Sequence, residues 1–110
     1  MATVTQAPGE ITLAASGTSD PIYLLPGVWE LDLYATSWDS GNPVTVEFAK
    51  ENTSARYEVI TDPANVDADI SRSAKGKPII FETAGGFLRI NASTIGTTTG
   101  LTLSVGYLRP

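Results

Sequence analysis

The chain contains no cysteine and no histidine among its 110 residues. Without a thiol or an imidazole it cannot form a disulfide, a Cys nucleophile, a Ser-His-Asp triad or a zinc finger, and any metal site would need oxygen ligands. Basic side chains are also few, with seven Lys and Arg against twelve Asp and Glu and a net charge of −5. Because affinity for nucleic acid rests mainly on neutralised phosphates, DNA and RNA are not expected as partners.

Long apolar runs are absent as well. No stretch of the sequence approaches the ~18 apolar residues that indicate a membrane span. The first eight residues, Met1 to Pro8, lack the basic and apolar stretches of a secretion signal. We therefore expect synthesis in a reducing cytoplasm and no membrane partner.

Short runs rich in Val, Ile, Leu, Thr and aromatic residues, separated by Gly and Pro, predict strands joined by turns. Apolar and polar side chains alternate with period two in the runs 28–37, 44–48, 87–92 and 101–108. Such alternation indicates that one face of each strand is buried. Turn-forming residues separate these runs, so the first two are predicted to pair as one antiparallel hairpin and the last two as another.

Four further strand candidates, at 10–15, 21–25, 55–61 and 77–83, bring the total to about eight, and 62–76 is predicted to be a long loop with at most a helical turn or an edge strand. Antiparallel chains of this size usually close as a sandwich, a jelly roll or a small barrel. The sequence therefore predicts a single all-β domain, an antiparallel β-sandwich or jelly roll. Alternation alone does not distinguish jelly-roll from immunoglobulin-like strand order.

The chain also matches itself at an offset of 57 residues. This offset places Pro21-Ile22 on Pro78-Ile79, and it aligns the apolar positions of the two early alternating runs with those of the two late ones without a gap. An internal duplication would give two units that pack their apolar faces against each other. Alternation by itself accounts for part of the agreement, so both explanations stay open at this point.

Aromatic residues are the candidate contact residues of the domain. Trp29 falls on the apolar side of its strand and is expected in the core. Tyr34 and Trp38 fall on the polar side and are expected to point outward if the strand continues that far, whereas an earlier strand end would let Trp38 fold back on the core. Phe87 lies on the polar side of its own strand. Exposed aromatic rings stack on sugars or form the apolar centre of a protein interface.

Acidic residues do not form a convincing chemical site. Asp62, Asp67 and Asp69 share one loop but lack the ligand pattern of a calcium loop, so we expect solvated turn acids and no metal or cofactor. Glu30 and Asp32 stand ~6.6 Å apart along a strand, a spacing that any alternating acidic strand provides. The chain is therefore not expected to be an enzyme.

The beginning of the chain is predicted to be an extended arm, residues 1–9, in front of the sandwich domain, residues 10–110. Residues 1–9 contain no charged side chain. Val4 and Gln6 are candidates for contacts in which such an arm adds a strand to the sheet edge of a neighbouring subunit.

Three segments together resemble small β-sandwich virion proteins of tailed bacteriophages. They are Leu25-Pro26-Gly27 before a Trp-x-Leu-x-Leu strand, Gly-Phe-Leu-Arg-Ile-Asn-Ala-Ser at 86–93, and Leu-Thr-Leu-Ser-Val at 101–105. The resemblance extends over residues 10–108. It implies a non-enzymatic capsid decoration or cement protein of the virion, often a homotrimer, that binds the major capsid protein.

The alternative function is a carbohydrate-binding or receptor-binding module of a phage tail. In that case Tyr34 and Trp38 would provide the stacking platform for a sugar ring. A small hydrolase is a third class, but the sequence offers no catalytic pair for it.

Overall fold

A computed structural model describes residues 9–13, 16–62 and 68–110 of the chain. The candidate contact residues Val4 and Gln6 lie outside the described residues, as does Asp67. Within the described ranges no helix has the length and apolar character needed to cross a membrane.

The described residues form twelve strands and one short 3-10 helix. In chain order these are β1 (Gly9–Leu13), β2 (Gly17–Thr18), β3 (Ile22–Leu24), β4 (Gly27–Tyr34), β5 (Val44–Ala49), the 3-10 helix η1 (Ser54–Arg56), β6 (Glu58–Val59), β7 (Thr61–Asp62), β8 (Ala68–Asp69), β9 (Ser71–Arg72), β10 (Ile79–Thr83), β11 (Gly86–Ala92) and β12 (Leu101–Arg109). The predicted strand 55–61 is thus a helical turn followed by β6 and the start of β7. The predicted loop 62–76 contains two short strands, β8 and β9, of which β9 lies at the edge of a sheet.

Ten of the twelve described strands form two antiparallel sheets, and β7 and β8 form a separate two-stranded ribbon. Sheet 1 has the order β1-β12-β4-β10. Sheet 2 is built on β11 and β5, with β2 and β3 along the outer edge of β11 and with β6 and β9 along the outer edge of β5. This is the strand order of a jelly roll. The predicted sandwich is therefore confirmed, and the strand order is that of the jelly roll.

The two predicted hairpins are wrong. β4 pairs with β10 and β12 rather than with β5, and β11 pairs with β5 rather than with β12. Packed sheets stand ~10 Å apart, a distance that the connections 35–43 and 93–100 can bridge. The chain therefore passes to the opposite sheet after β4 and again after β11. Alternation predicts which face of a strand is buried, but it does not predict which of the two sheets the strand joins.

The pairing of the strands repeats with the same 57-residue offset. Leu31 lies opposite Val105, and shifting the first residue forward and the second back by 57 gives Leu88 opposite Phe48, which is also a pair. The same shift converts the β4–β10 register into the β11–β3 register. Alternation alone would not reproduce partners and register together, so the pairing supports an internal duplication.

The two units of this duplication are intertwined. Every pairing within the two sheets joins a strand that ends before residue 50 to a strand that begins after residue 57. Among the described strands, only the β7–β8 ribbon pairs within one half of the chain. Neither unit therefore contains a complete sheet.

The core lies between the two sheets and contains Trp29, as predicted. This side chain is fully buried, and its indole N–H donates a hydrogen bond of 2.9 Å to the carbonyl oxygen of Leu25. The Trp29 and Tyr107 rings pack edge to face with their centroids 4.8 Å apart. The buried indole thus has both its apolar contacts and its polar partner.

Candidate interaction surfaces

The predicted contact residues lie in different parts of the molecule. Tyr34 is the last residue of β4 and is 50% exposed on the outer face of sheet 1. Phe87 alternates with buried residues of β11 and so faces outward from sheet 2. Because β4 ends at Tyr34, Trp38 leaves the strand and packs, partly buried, against the core. The structure does not bring Tyr34 and Phe87 together.

The outer face of sheet 1 has a central stripe of small residues. β12 runs through the middle of the sheet and presents Thr102, Ser104 and Gly106 on this face. Tyr34 points outward on β4, beside the stripe, and Leu108 lies at its end. Ile80 points outward on β10, which is separated from the stripe by β4. These three residues are about half exposed, and together they are three of the four large hydrophobic side chains exposed in the described chain. The face is therefore flat along β12 and has exposed apolar side chains.

Acidic side chains surround these apolar groups. Four acidic residues lie on the same outer face of sheet 1, because each is either paired with an outward-facing residue or two positions from one on its own strand. They are Glu10, Glu30, Asp32 and Glu82. Lys75 forms an ion pair with Asp32, but both side chains are at least 40% exposed, so the pair adds little stability. The face is therefore acidic overall and complements a basic surface.

The outer face of sheet 2 contains a polar network that the sequence analysis missed. Arg89 Nε donates a hydrogen bond of 2.8 Å to Glu47 Oε1, and Asn91 Nδ2 donates one of 2.9 Å to Glu47 Oε2. The side chains of Arg89 and Glu47 are only 15% and 11% exposed. Detecting this pair from sequence would have required the pairing of β5 with β11, which the hairpin prediction had assigned differently.

Tyr57 covers this network. The Arg89 Cζ atom lies 3.7 Å from the centroid of the Tyr57 ring, a cation–π contact. Burial raises the pKa of Tyr57, with the Arg89 charge opposing and the Glu47 charge adding to the shift. The Tyr57 hydroxyl donates a hydrogen bond of 2.8 Å to Asn52 Oδ1. The network thus satisfies its own charges and hydrogen-bonding groups.

A pair of aromatic rings lies on the same face. Tyr23 on β3 is directly opposite Phe87 on β11, and the two rings meet edge to face with their centroids 5.2 Å apart. Tyr23 is 46% exposed. An exposed ring beside Arg and Asn side chains offers a surface on which a sugar could stack.

The two connections that cross between the sheets are joined at one end of the sandwich. Asp39 accepts hydrogen bonds of 2.9 Å from the Gly41 N–H, 2.8 Å from Asn42 Nδ2 and 3.0 Å from the Thr97 N–H. These bonds hold the pKa of Asp39 below its ordinary value, the bond from Thr97 contributing most. The Asp39 carboxylate therefore connects the loop after β4 to the loop after β11.

No group of three or more acidic side chains that could hold a metal ion occurs in the part of the chain that the structure describes. Comparisons with protein-family models, with curated proteins and with solved structures find no match.

Proposed function

We propose that the chain is a structural virion protein, a capsid decoration or cement protein that binds the assembled coat lattice. The observation that carries the proposal is the outer face of sheet 1, where Tyr34, Ile80 and Leu108 are exposed on the same face as a stripe of small residues. Exposed apolar side chains grouped on one face are typical of a protein interface. A flat sheet surface is suited to pack against another folded protein, here the major capsid protein.

The mechanism is stabilisation by selective binding. A protein that binds the assembled lattice and not the free coat subunit stabilises the lattice by an amount that grows with the logarithm of its free concentration above the Kd. Apolar side chains at the centre of the contact supply affinity, and the surrounding acids supply orientation on a basic coat surface. This function requires no catalytic residue, cofactor or nucleic acid.

Association as a homotrimer is part of the proposal, because three linked domains can engage neighbouring coat subunits together and gain affinity without new contacts. Light scattering over a concentration series is expected to give three times the chain mass of 11.6 kDa. A mass that stays at that of one chain would remove the trimer from the proposal.

Sedimentation with shells of the virus that encodes the chain tests the binding face. Tyr34→Ser is expected to weaken binding at least ~10-fold, the effect of losing an interface residue worth more than about 1.4 kcal/mol. Tyr23→Ser is the matched control, because Tyr23 is equally exposed but lies on the opposite sheet. Loss of binding with Tyr23→Ser and not with Tyr34→Ser would contradict the proposed face.

The second candidate function is carbohydrate binding, which is favoured by the exposed Tyr23–Phe87 pair. It differs from the first in the residue on which it depends. Retention on a glycan array that is lost in Tyr23→Ser and kept in Tyr34→Ser would support a tail module that binds a glycan or receptor.

A further inference from the structure

A groove with a volume of about 460 Å³ opens between the free edges of the two sheets. β10, the last described strand of sheet 1, lines one side, and β6, at the edge of sheet 2, lines the other. Phe48 and Phe81 line it and meet edge to face with their ring centroids 5.1 Å apart. Ile80 lies beside them and is 48% exposed. The groove is therefore apolar over part of its surface.

The backbone of β10 can accept another strand. Among the described strands β10 pairs only with β4, so no described strand occupies its second edge. Alternate N–H and C=O groups of an edge strand point away from the sheet and are available to an extended peptide. Peptides that add a strand in this way gain affinity from backbone hydrogen bonds and specificity from alternate side chains.

The charges along the groove indicate which peptide fits. Glu58 and Glu82 line it and are both exposed, and neither forms an ion pair with a basic residue in the described part of the chain. Basic side chains on an incoming strand would compensate these carboxylates, whereas an acidic strand would be repelled. Aliphatic side chains on its other face would contact the aromatic pair.

The opposite edge of the sandwich has a second groove of about 340 Å³, between β1 and β3. It is also acidic, with Glu10 and Asp20 among its lining residues. Its apolar lining differs, because Ile11 is buried, Ile22 is partly buried, and no aromatic residue lines it. This groove provides a matched control with the same number of carboxylates.

We propose that the groove between β10 and β6 binds an extended segment of a partner protein, in which aliphatic and basic residues alternate, as an added strand on β10. The proposal goes beyond shell binding through sheet 1, because it concerns a sheet edge and a peptide and can be measured without a shell.

The test is an NMR titration of the full chain with a capped probe peptide, Lys-Val-Thr-Val-Lys, at up to millimolar concentration. Period two places its valines on one face and its lysines on the other. We expect amide shifts concentrated in β10 and β6. Glu58→Lys/Glu82→Lys should weaken binding about 10-fold, since two exposed charge pairs are lost and replaced by repulsion. The same variant should bind the probe Glu-Val-Thr-Val-Glu better than the wild type does.

The control variant Glu10→Lys/Asp20→Lys makes the same change in net charge at the other groove and is expected to bind the lysine probe as the wild type does. Equal weakening by both double variants would show non-specific attraction to an acidic protein and overturn the proposal. Unchanged wild-type spectra would also overturn it. Shifts of the β10 and β6 amides that appear when the chain alone is concentrated would assign the groove to a second copy instead.

Discussion

At the scale of single residues, the least exposed ion pair of the described chain is held by hydrogen bonds and an aromatic ring. Glu47 accepts hydrogen bonds from Arg89 and Asn91, and Tyr57 covers the guanidinium. A carboxylate that is satisfied on both oxygens and shielded from water is costly to leave alone. The arrangement therefore predicts strong coupling between Glu47 and Arg89.

Arg89→Met is expected to lower the free energy of unfolding by about 2–4 kcal/mol, because it leaves the nearly buried Glu47 carboxylate without its cation. The double variant Glu47→Leu/Arg89→Met should be less destabilised than Arg89→Met, since it removes the unpaired charge. Urea unfolding of both variants and of the wild type measures the coupling. A double variant that is less stable than Arg89→Met would contradict this account.

Asp39 is expected to make the fold sensitive to acid. Its pKa is lowered in the folded chain from an ordinary value of 3.8 by hydrogen bonds from Thr97, Asn42 and Gly41. A lowered folded pKa contributes stability that is present above the unfolded pKa and is lost as pH falls through the folded pKa. Urea midpoints of the wild type should therefore fall with pH below about 4.

Asp39→Asn should reduce this acid-side slope, because the amide does not titrate. Glu51→Gln, in an exposed part of the chain, is the control and should leave the slope as it is in the wild type. Equal slopes for the wild type and Asp39→Asn would show that the joined loops do not depend on the Asp39 charge.

At the scale of elements, the sequence predicted which face of each strand is buried, but it did not predict which strands pair with each other. Period two correctly predicted that Trp29 is buried and that Tyr34 is exposed, because this pattern depends on the strand alone. The hairpins were wrong because pairing depends on where the chain crosses between sheets. Two placements stayed open for Trp38, because the sequence did not show where β4 ends. The Glu47–Arg89 pair was missed because it depends on the pairing of β5 with β11, which the sequence did not predict.

Gly27 begins β4 at a position that accepts only glycine. Its φ is +149°, and an added Cβ would lie 2.6 Å from both the Arg109 carbonyl oxygen and Tyr107 Cε1. Gly27→Ala is therefore expected to cost about 3 kcal/mol or more through strain and displacement of β12.

The matched control for Gly27→Ala is Gly106→Ala on β12, where an added Cβ meets no atom within 4 Å. Thermal and urea unfolding should find this variant within about 1 kcal/mol of the wild type. Similar stabilities of the two alanine variants would contradict the close approach of β12 to Gly27.

At the scale of the whole molecule, the sandwich is built by strand pairing between the first and the second half of the chain. The central strand β4 of the first unit pairs with β10 and β12 of the second, and β11 of the second pairs with β3 and β5 of the first. Because the sandwich pairings all join distant parts of the chain, loop closure must precede most of the stabilising contacts. The two halves are expected to fold only together.

Fragments 1–52 and 53–110 provide the test, because the chain between β5 and β6 is exposed at residues 50–56. Each fragment alone is expected to give the circular dichroism of an unfolded chain, and an equimolar mixture should recover the β spectrum of the intact protein. A fragment that folds alone as a monomer would contradict the intertwined pairing.

The most direct test of the proposed function is a cryo-EM map of phage shells incubated with the purified protein, the phage being the one that would encode the chain under this proposal. We predict ordered sandwich density on the assembled lattice, with the outer face of sheet 1, including Tyr34, Ile80 and Leu108, against the coat protein and with Tyr23 exposed. Sandwiches bound through sheet 2 would contradict the proposed interface, and a bare lattice at saturating protein would contradict the decoration function itself.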